Sequence, residues 1–164
     1  MNLLTDIEKS CSFTGHRILP FGTYGRIYGA VTEEIKKLYS LGVRHFITGG
    51  ALGFDMLCAN AVLSLKKELT DVTLTLALPC IGHDARWQAS DRAQMRDILN
   101  KADETVYVSE EYTKYCMFKR NRFMVDNSLY CISYCTKKTG GSYYTVNYAI
   151  SRQREITEIS EKLL

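Results

Sequence analysis

Three glycine-bearing turns hold the residues best suited to bind an anion: Gly15-His16-Arg17, Gly49-Gly50-Ala51-Leu52-Gly53-Phe54-Asp55 and Gly140-Gly141-Ser142. Each follows an apolar run that reads as a strand ending at the turn. Glycine tolerates positive φ there, and without a side chain it lets backbone N–H groups come close to a phosphate. Where such a turn opens a helix, the unsatisfied amides and the helix dipole favour negative charge. The second turn lacks the GxGxxG order, so the regular dinucleotide fingerprint is not claimed. Its Asp55 has two roles open to it, capping a helix or accepting from a ribose hydroxyl. Ser142 is either an N-cap or a hydroxyl donor to phosphate, and the two roles are compatible. Arg17 suits a bidentate contact with phosphate or carboxylate, or an ordinary surface ion pair. His16 reads as a packing or hydrogen-bonding residue rather than a catalytic one.

A compact basic cluster, Lys119-Arg120-Asn121-Arg122, lies between Phe118 and Phe123. On a helix Lys119 and Arg122 share a face while Arg120 points elsewhere. Lys137 and Lys138 add positive potential beside the third glycine turn. The six cysteines show no paired CxxC spacing, and the only histidines are His16, His45 and His83. Cys131 and Cys135 on one strand would stand about 13 Å apart, too far for a disulfide or a shared metal. Buried free thiols and no metal are expected.

The elements that must position these groups follow a strand–helix rhythm, which argues for a parallel sheet covered on both faces. Strands are expected over Cys11–Thr14, Arg44–Thr48, Val72–Leu78, Glu104–Val108 and Leu129–Tyr134, with a short edge strand near Ile156–Ile159. Ile27, Val31, Ile35 and Leu38 recur at helical spacing, and Gly42 marks the end of that helix. A second, largely apolar helix runs to about Leu69. A third spans Asp84 to Lys101, with Trp87, Asp91, Met95, Ile98 and Ala102 along one side. Further helices cover Cys116 to Asp126 and the segment with Val146, Ala149 and Ile150. The fold class is α/β, a Rossmann-like three-layer sandwich with a mostly parallel sheet and helices on both faces. Ligands in such sheets bind outside the carboxyl ends of the strands, at a topological switch point.

At 164 residues the chain fits one domain, with no repeat, low-complexity tract or linker. A net charge of +3, from 21 basic and 18 acidic side chains, is too weak to indicate a nucleic-acid wrapper without clustering. Met1 to Ser10 lack the apolar core of a signal peptide, and no apolar run nears the roughly 18 residues of a membrane span. A cytoplasmic protein with no membrane partner is expected, and a homodimer on the frequency of twofold assemblies.

The ordered set Thr14-Gly15-His16-Arg17, Thr48-Gly49-Gly50-Ala51-Leu52-Gly53-Phe54-Asp55, Phe118-Lys119-Arg120-Asn121-Arg122 and Gly140-Gly141-Ser142 resembles the YpsA-like family of the SLOG (Smf/DprA–LOG) superfamily. The resemblance runs from about Cys11 to Ile159. It implies a Rossmann-like fold binding nucleotides or nucleotide-derived ligands, such as NAD or ADP-ribose, in a cavity lined by these motifs. It assigns ligand binding to Gly15, His16, Arg17, Gly49, Gly50, Ala51, Gly53, Asp55, Arg120, Asn121, Arg122, Gly140, Gly141 and Ser142, and no firm cofactor. A sensor or adaptor role comes first.

An N-glycosidic hydrolase of nucleosides or ADP-ribose comes second. The LOG enzymes use a glutamate where this chain has Thr145, which cannot supply a carboxylate. Asp55, Asp126, Glu110 or Glu111 would have to replace it, with Arg122 stabilising charge on the phosphate side. A DprA-like single-stranded DNA binder comes third, drawing on a similar Arg-Asn-Arg stretch and stacking aromatics. Trp87, or a tyrosine in the Glu110–Tyr115 loop, is a candidate to stack on a base. Gly50→Asp is expected to abolish nucleotide binding with the fold intact.

Overall fold

The computed structural model describes residues 6–164. Met1 to Thr5, and that part of the signal-peptide reading, lie outside the described residues. Six strands alternate with five helices: β1 (Ser10–Gly15), α1 (Tyr24–Ser40), β2 (His45–Thr48), α2 (Phe54–Leu65), β3 (Thr73–Leu78), α3 (Ala89–Lys101), β4 (Glu104–Tyr107), α4 (Cys116–Asp126), β5 (Tyr130–Tyr134), α5 (Gly141–Ser151) and β6 (Glu155–Glu158). Short 3-10 turns precede β1 and follow β6. The sheet order is β4-β3-β2-β1-β5-β6 and every pairing is parallel, making this an α/β Rossmann-like fold.

The strand sequences explain the order. β1, β3 and β5 are buried along almost their whole length because helices cover them on both sides, and they alternate apolar residues with small Ser, Thr and Cys. Alternate side chains divide between two cores. Phe13, Phe46, Leu74, Leu76 and Ile132 pack with Ile27, Val31 and Ile35 of α1 and with Phe54, Leu57 and Val62 of α2. Ile47, Ala77 and Val106 face the other way, onto Met124 of α4. The chain therefore runs β1 to β4 with α1–α3 on one face. It then returns to the far side of β1 through α4 and α5 on the opposite face. The reversal falls between β1 and β5. Crossover handedness and sheet twist put a crevice there, at the carboxyl ends of the two strands.

Two expected helices differ in extent. The segment read as helical from Asp84 begins only at Ala89. Residues 79–88 form successive turns, with Ala85 N–H on the Gly82 carbonyl and Trp87 N–H on that of Asp84. Gln88 is extended at φ −62°, ψ 153°. Met95 and Ile98 are buried as the stripe required, whereas Trp87 packs edge-on against His83. α2 ends at Leu65, and turns carry the chain on to Leu69. The last strand is at the sheet edge, as expected. Five of the six cysteines are buried; Cys135 lies just beyond β5 and is half-buried. No helix among the described residues is long and apolar enough to cross a membrane.

Candidate functional site

A cavity of about 420 Å³ opens at the β1–β5 reversal. Its walls come from four segments. Phe13, Thr14, Gly15, His16 and Arg17 end β1, and Ala51 and Asp55 follow β2. Met117, Phe118, Arg120 and Asn121 come from α4, and Lys137 and Thr139–Ser142 lead from β5 into α5.

The β1 turn is held from both sides. His16 N–H donates to the Tyr134 carbonyl, 3.2 Å, and the His16 carbonyl accepts from Phe54 N–H, 3.0 Å. The first amide of α2 is thereby satisfied from outside the helix. A Cβ on Gly15 would stand 2.4 Å from Phe54 Cδ2, so this glycine admits the Phe54 ring beneath the strand end. Thr136 N–H donates to His16 Nε2, 2.8 Å. That nitrogen must therefore carry a lone pair, leaving the proton on Nδ1 and the ring neutral. Burial and the Lys137 charge lower its pKa in the same direction, against Glu158, which raises it.

Asp55 and Arg120 form the floor, 7% and 5% exposed. Asp55 sits in the first turn of α2, whose N-cap is Gly53, and its carboxylate accepts from Ala51 N–H at 3.2 Å. It is thus not the helix cap. Burial pushes its pKa up to about 6, against the pull of Arg120, the Ala51 amide and Arg17. The Arg120 guanidinium donates to the Gly49 carbonyl and, through Nε, to Asn121 Oδ1 at 2.7 Å. Arg17 is exposed, and its recorded partner is the Met117 sulfur, 4.0 Å away. None of the five ion pairs among the described residues includes Arg17, Arg120 or Lys137. The surface ion pair open to Arg17 is therefore not formed. Three cations without carboxylate partners surround a single buried acid.

α5 opens on the same space. Gly140 is its N-cap, and the first intrahelical bond runs from Tyr144 N–H to the Gly140 carbonyl, 3.0 Å. The amides of Gly141, Ser142 and Tyr143 have no partner within the helix. Ser142 is the second helical residue rather than the cap. Thr145 is buried, and its hydroxyl donates back to the Gly141 carbonyl at 2.8 Å. It does not present a group to the cavity.

Four sequence-selected residues are not on its wall. Gly49 lies behind it, where a Cβ would stand 2.7 Å from Arg120 Nη1 and 2.8 Å from Asp55 Oδ2. Gly50, at φ 68°, faces β3, where a Cβ would meet Leu78 Cδ2 at 2.4 Å, and its carbonyl accepts from His83 Nε2 at 3.0 Å. Gly50→Asp would therefore disturb the core, and it cannot isolate binding from folding. Gly53, at φ 78°, brings the β2 turn against the β1 turn, with room for a Cβ denied by the Arg17 carbonyl at 2.2 Å. Arg122 points to the outer side of α4, where Lys119 shares its face. Phe13, Thr14, Met117, Phe118 and Thr139 line the cavity beyond the assigned set, as does Lys137, which the sequence singled out only for its charge. Lys137 was legible from its place before the glycine turn, but Met117 carries no sequence signal. Trp87 borders a separate crevice of about 50 Å³ with His83 and Arg17, room for a water or two but not for a base.

Comparisons with known proteins agree with this architecture. The SPbeta prophage-derived protein YoqJ of Bacillus subtilis is 32% identical over 132 residues, covering 73% of this chain and 76% of that one. A UPF0398 protein of Staphylococcus epidermidis is 29% identical over 104 residues, covering 62% of this chain. The matched stretch spans about half (55%) of that relative's length. Among solved structures, DNA processing protein A of Streptococcus pneumoniae superposes with a TM-score of 0.63 at 15% identity, covering 91% of this chain and 49% of that one. Its Helicobacter pylori counterpart gives 0.64 at 17% identity, covering 96% and 72%. These structural likenesses show the fold. A family model described as the YspA SLOG family matches residues 12–163, and the chain belongs to that family.

Proposed function

We propose that the chain binds a nucleotide or nucleotide-derived phosphate ligand in the cavity at the β1–β5 reversal, in a sensor or adaptor role. One observation carries this reading. The α5 N-terminus, Arg17, Arg120 and Lys137 converge on a single hollow without carboxylate partners, and Asp55 alone supplies negative charge there. Free amides at a helix start, with an exposed guanidinium beside them, suit a phosphate. Asp55, facing the same space, suits a ribose hydroxyl. Gly15, His16, Ala51, Asn121, Gly140, Gly141 and Ser142 complete the contact surface, while Gly49, Gly50 and Gly53 shape it from behind.

A thermal-shift series with AMP, ADP-ribose, NAD and inorganic phosphate tests this. A ligand at a hundredfold its Kd adds about 2.7 kcal/mol, or roughly 5–10 °C in a chain of this size. No shift with any of them at millimolar concentration would refute the reading.

A second reading is single-stranded nucleic acid. It is favoured by the likeness to the Helicobacter pylori structure, which is described for its single-stranded DNA binding mode. Oligonucleotide affinity falling steeply with salt would support it. Hydrolysis has less support. Of its four candidate carboxylates only Asp55 lines the cavity, and Asp126 is engaged by Tyr148 and Arg152. Release of free base or ribose phosphate from AMP or ADP-ribose would reinstate it.

A further inference from the structure

A second hollow of about 530 Å³ lies outside the cavity, between α4 and α5, lined by Tyr115, Phe118, Lys119, Arg122 and Tyr144. Phe118 belongs to both, so its ring is the partition between them. We propose that this hollow is a stacking subsite for a second aromatic ring of the ligand, joined through phosphate to the group held in the cavity. The proposal rests on the nucleotide reading above and extends it to ligands with two ring systems.

Four features point to a ring with an anionic link. Tyr115 is 63% and Phe118 39% exposed, so aromatic surface stands uncovered beside a phosphate-sized site. The Phe118 and Tyr144 rings meet edge to face, 4.9 Å between centroids at 70°. Against a flat ligand such a corner offers one face and one edge, the geometries aromatic rings prefer. Arg122 is held in place before any ligand arrives. Its Nε donates to the Tyr144 hydroxyl at 2.8 Å, and its guanidinium lies 5.7 Å and 5.1 Å from the Tyr144 and Tyr148 ring centroids. Neither Arg122 nor Lys119 belongs to an ion pair among the described residues. Phosphate oxygens crossing over Phe118 would meet both cations. The hollow is large enough for a purine, unlike the crevice beside Trp87.

The linking chemistry has two sources, a pyrophosphate-bridged dinucleotide or the phosphodiester of a strand, and matched ligand pairs separate them. Calorimetric titration compares ADP-ribose with diadenosine diphosphate, which adds a base to the same bridged riboses. It also compares AMP with phosphorylated ApA. Stacking predicts that the two-ring member of at least one pair binds wild type about tenfold tighter than its partner. In Tyr115→Ala/Arg122→Ala that advantage should vanish while the one-ring ligands bind as before. Lys119→Glu, an exposed charge reversal, is the second variant and should reduce the same advantage. Equal affinities within both pairs would overturn the subsite, as would equal loss of one-ring and two-ring binding in the variants. If self-association of the chain, rather than any two-ring ligand, responds to these variants, the hollow is an interface between copies and the proposal fails. Failure of AMP and ADP-ribose to bind wild type at all would instead overturn the nucleotide reading, and the subsite with it.

Discussion

Replacing Asp55 by Asn removes a charge that the folded chain holds at the expense of its own stability. Burial outweighs Arg120, the Ala51 amide and Arg17, so the carboxyl titrates at about 6 instead of the usual 3.8. A carboxyl whose folded pKa exceeds its unfolded one binds its proton more tightly in the native state. Its contribution is then fully present below pH about 4, is lost as pH rises through about 6, and does not return above that. The gap between 3.8 and about 6 corresponds to ~3 kcal/mol. Asn is uncharged and keeps an oxygen for the Ala51 amide. Urea unfolding at about pH 7.5 should therefore find Asp55→Asn more stable than wild type by up to ~3 kcal/mol, and at about pH 4 the two should coincide. Ribose-bearing ligands should bind the variant roughly tenfold more weakly, because a charged acceptor is lost. A variant less stable than wild type at neutral pH, or one whose stability difference does not change with pH, would refute the account of the buried carboxylate.

Wild-type affinity for ribose-bearing nucleotides should fall below pH about 6, as Asp55 takes up its proton, which a calorimetric pH series would show. Arg120→Met should move the Asp55 titration upward, read by carboxyl carbon NMR, because Arg120 is the largest influence holding it down. Arg17→Ala should weaken phosphate-bearing ligands by about tenfold or more with little change in the apo Tm, since Arg17 is exposed and has no carboxylate partner. Gly53→Ala should destabilise the fold by roughly 2 kcal/mol or more in urea melts, because its φ of 78° and the Arg17 carbonyl both oppose a Cβ.

The strand ends were readable because β1 and β2 run directly into glycine, at Gly15 and Gly49, while β5 leads within a few residues to Gly140-Gly141. From there the strand-end rule brought Gly15, Arg17, Asp55 and Gly141 to one place. The glycine signal itself was ambiguous. A missing side chain admits an approaching phosphate or an approaching protein atom, and at Gly49, Gly50 and Gly53 the neighbour is Arg120, Leu78 and the Arg17 carbonyl. Helical spacing correctly put Lys119 and Arg122 together and Arg120 apart. Spacing does not say which face turns inward, and it was Arg120 that became the buried partner of the site. Residues 84–88 hold no glycine or proline to mark a boundary, so the sequence did not separate the last of the turns at 79–88 from α3. Those turns bring His83 to the Gly50 carbonyl, a long-range contact with no local signature.

Amide chemical-shift mapping during titration with ADP-ribose tests the central claim most directly. The account predicts that Gly15, Arg17, Ala51, Gly141 and Ser142 shift together and saturate with one dissociation constant. Shifts centred instead on the lysine-rich surface of Lys66, Lys67 and Lys101, or no saturable shifts anywhere, would contradict it.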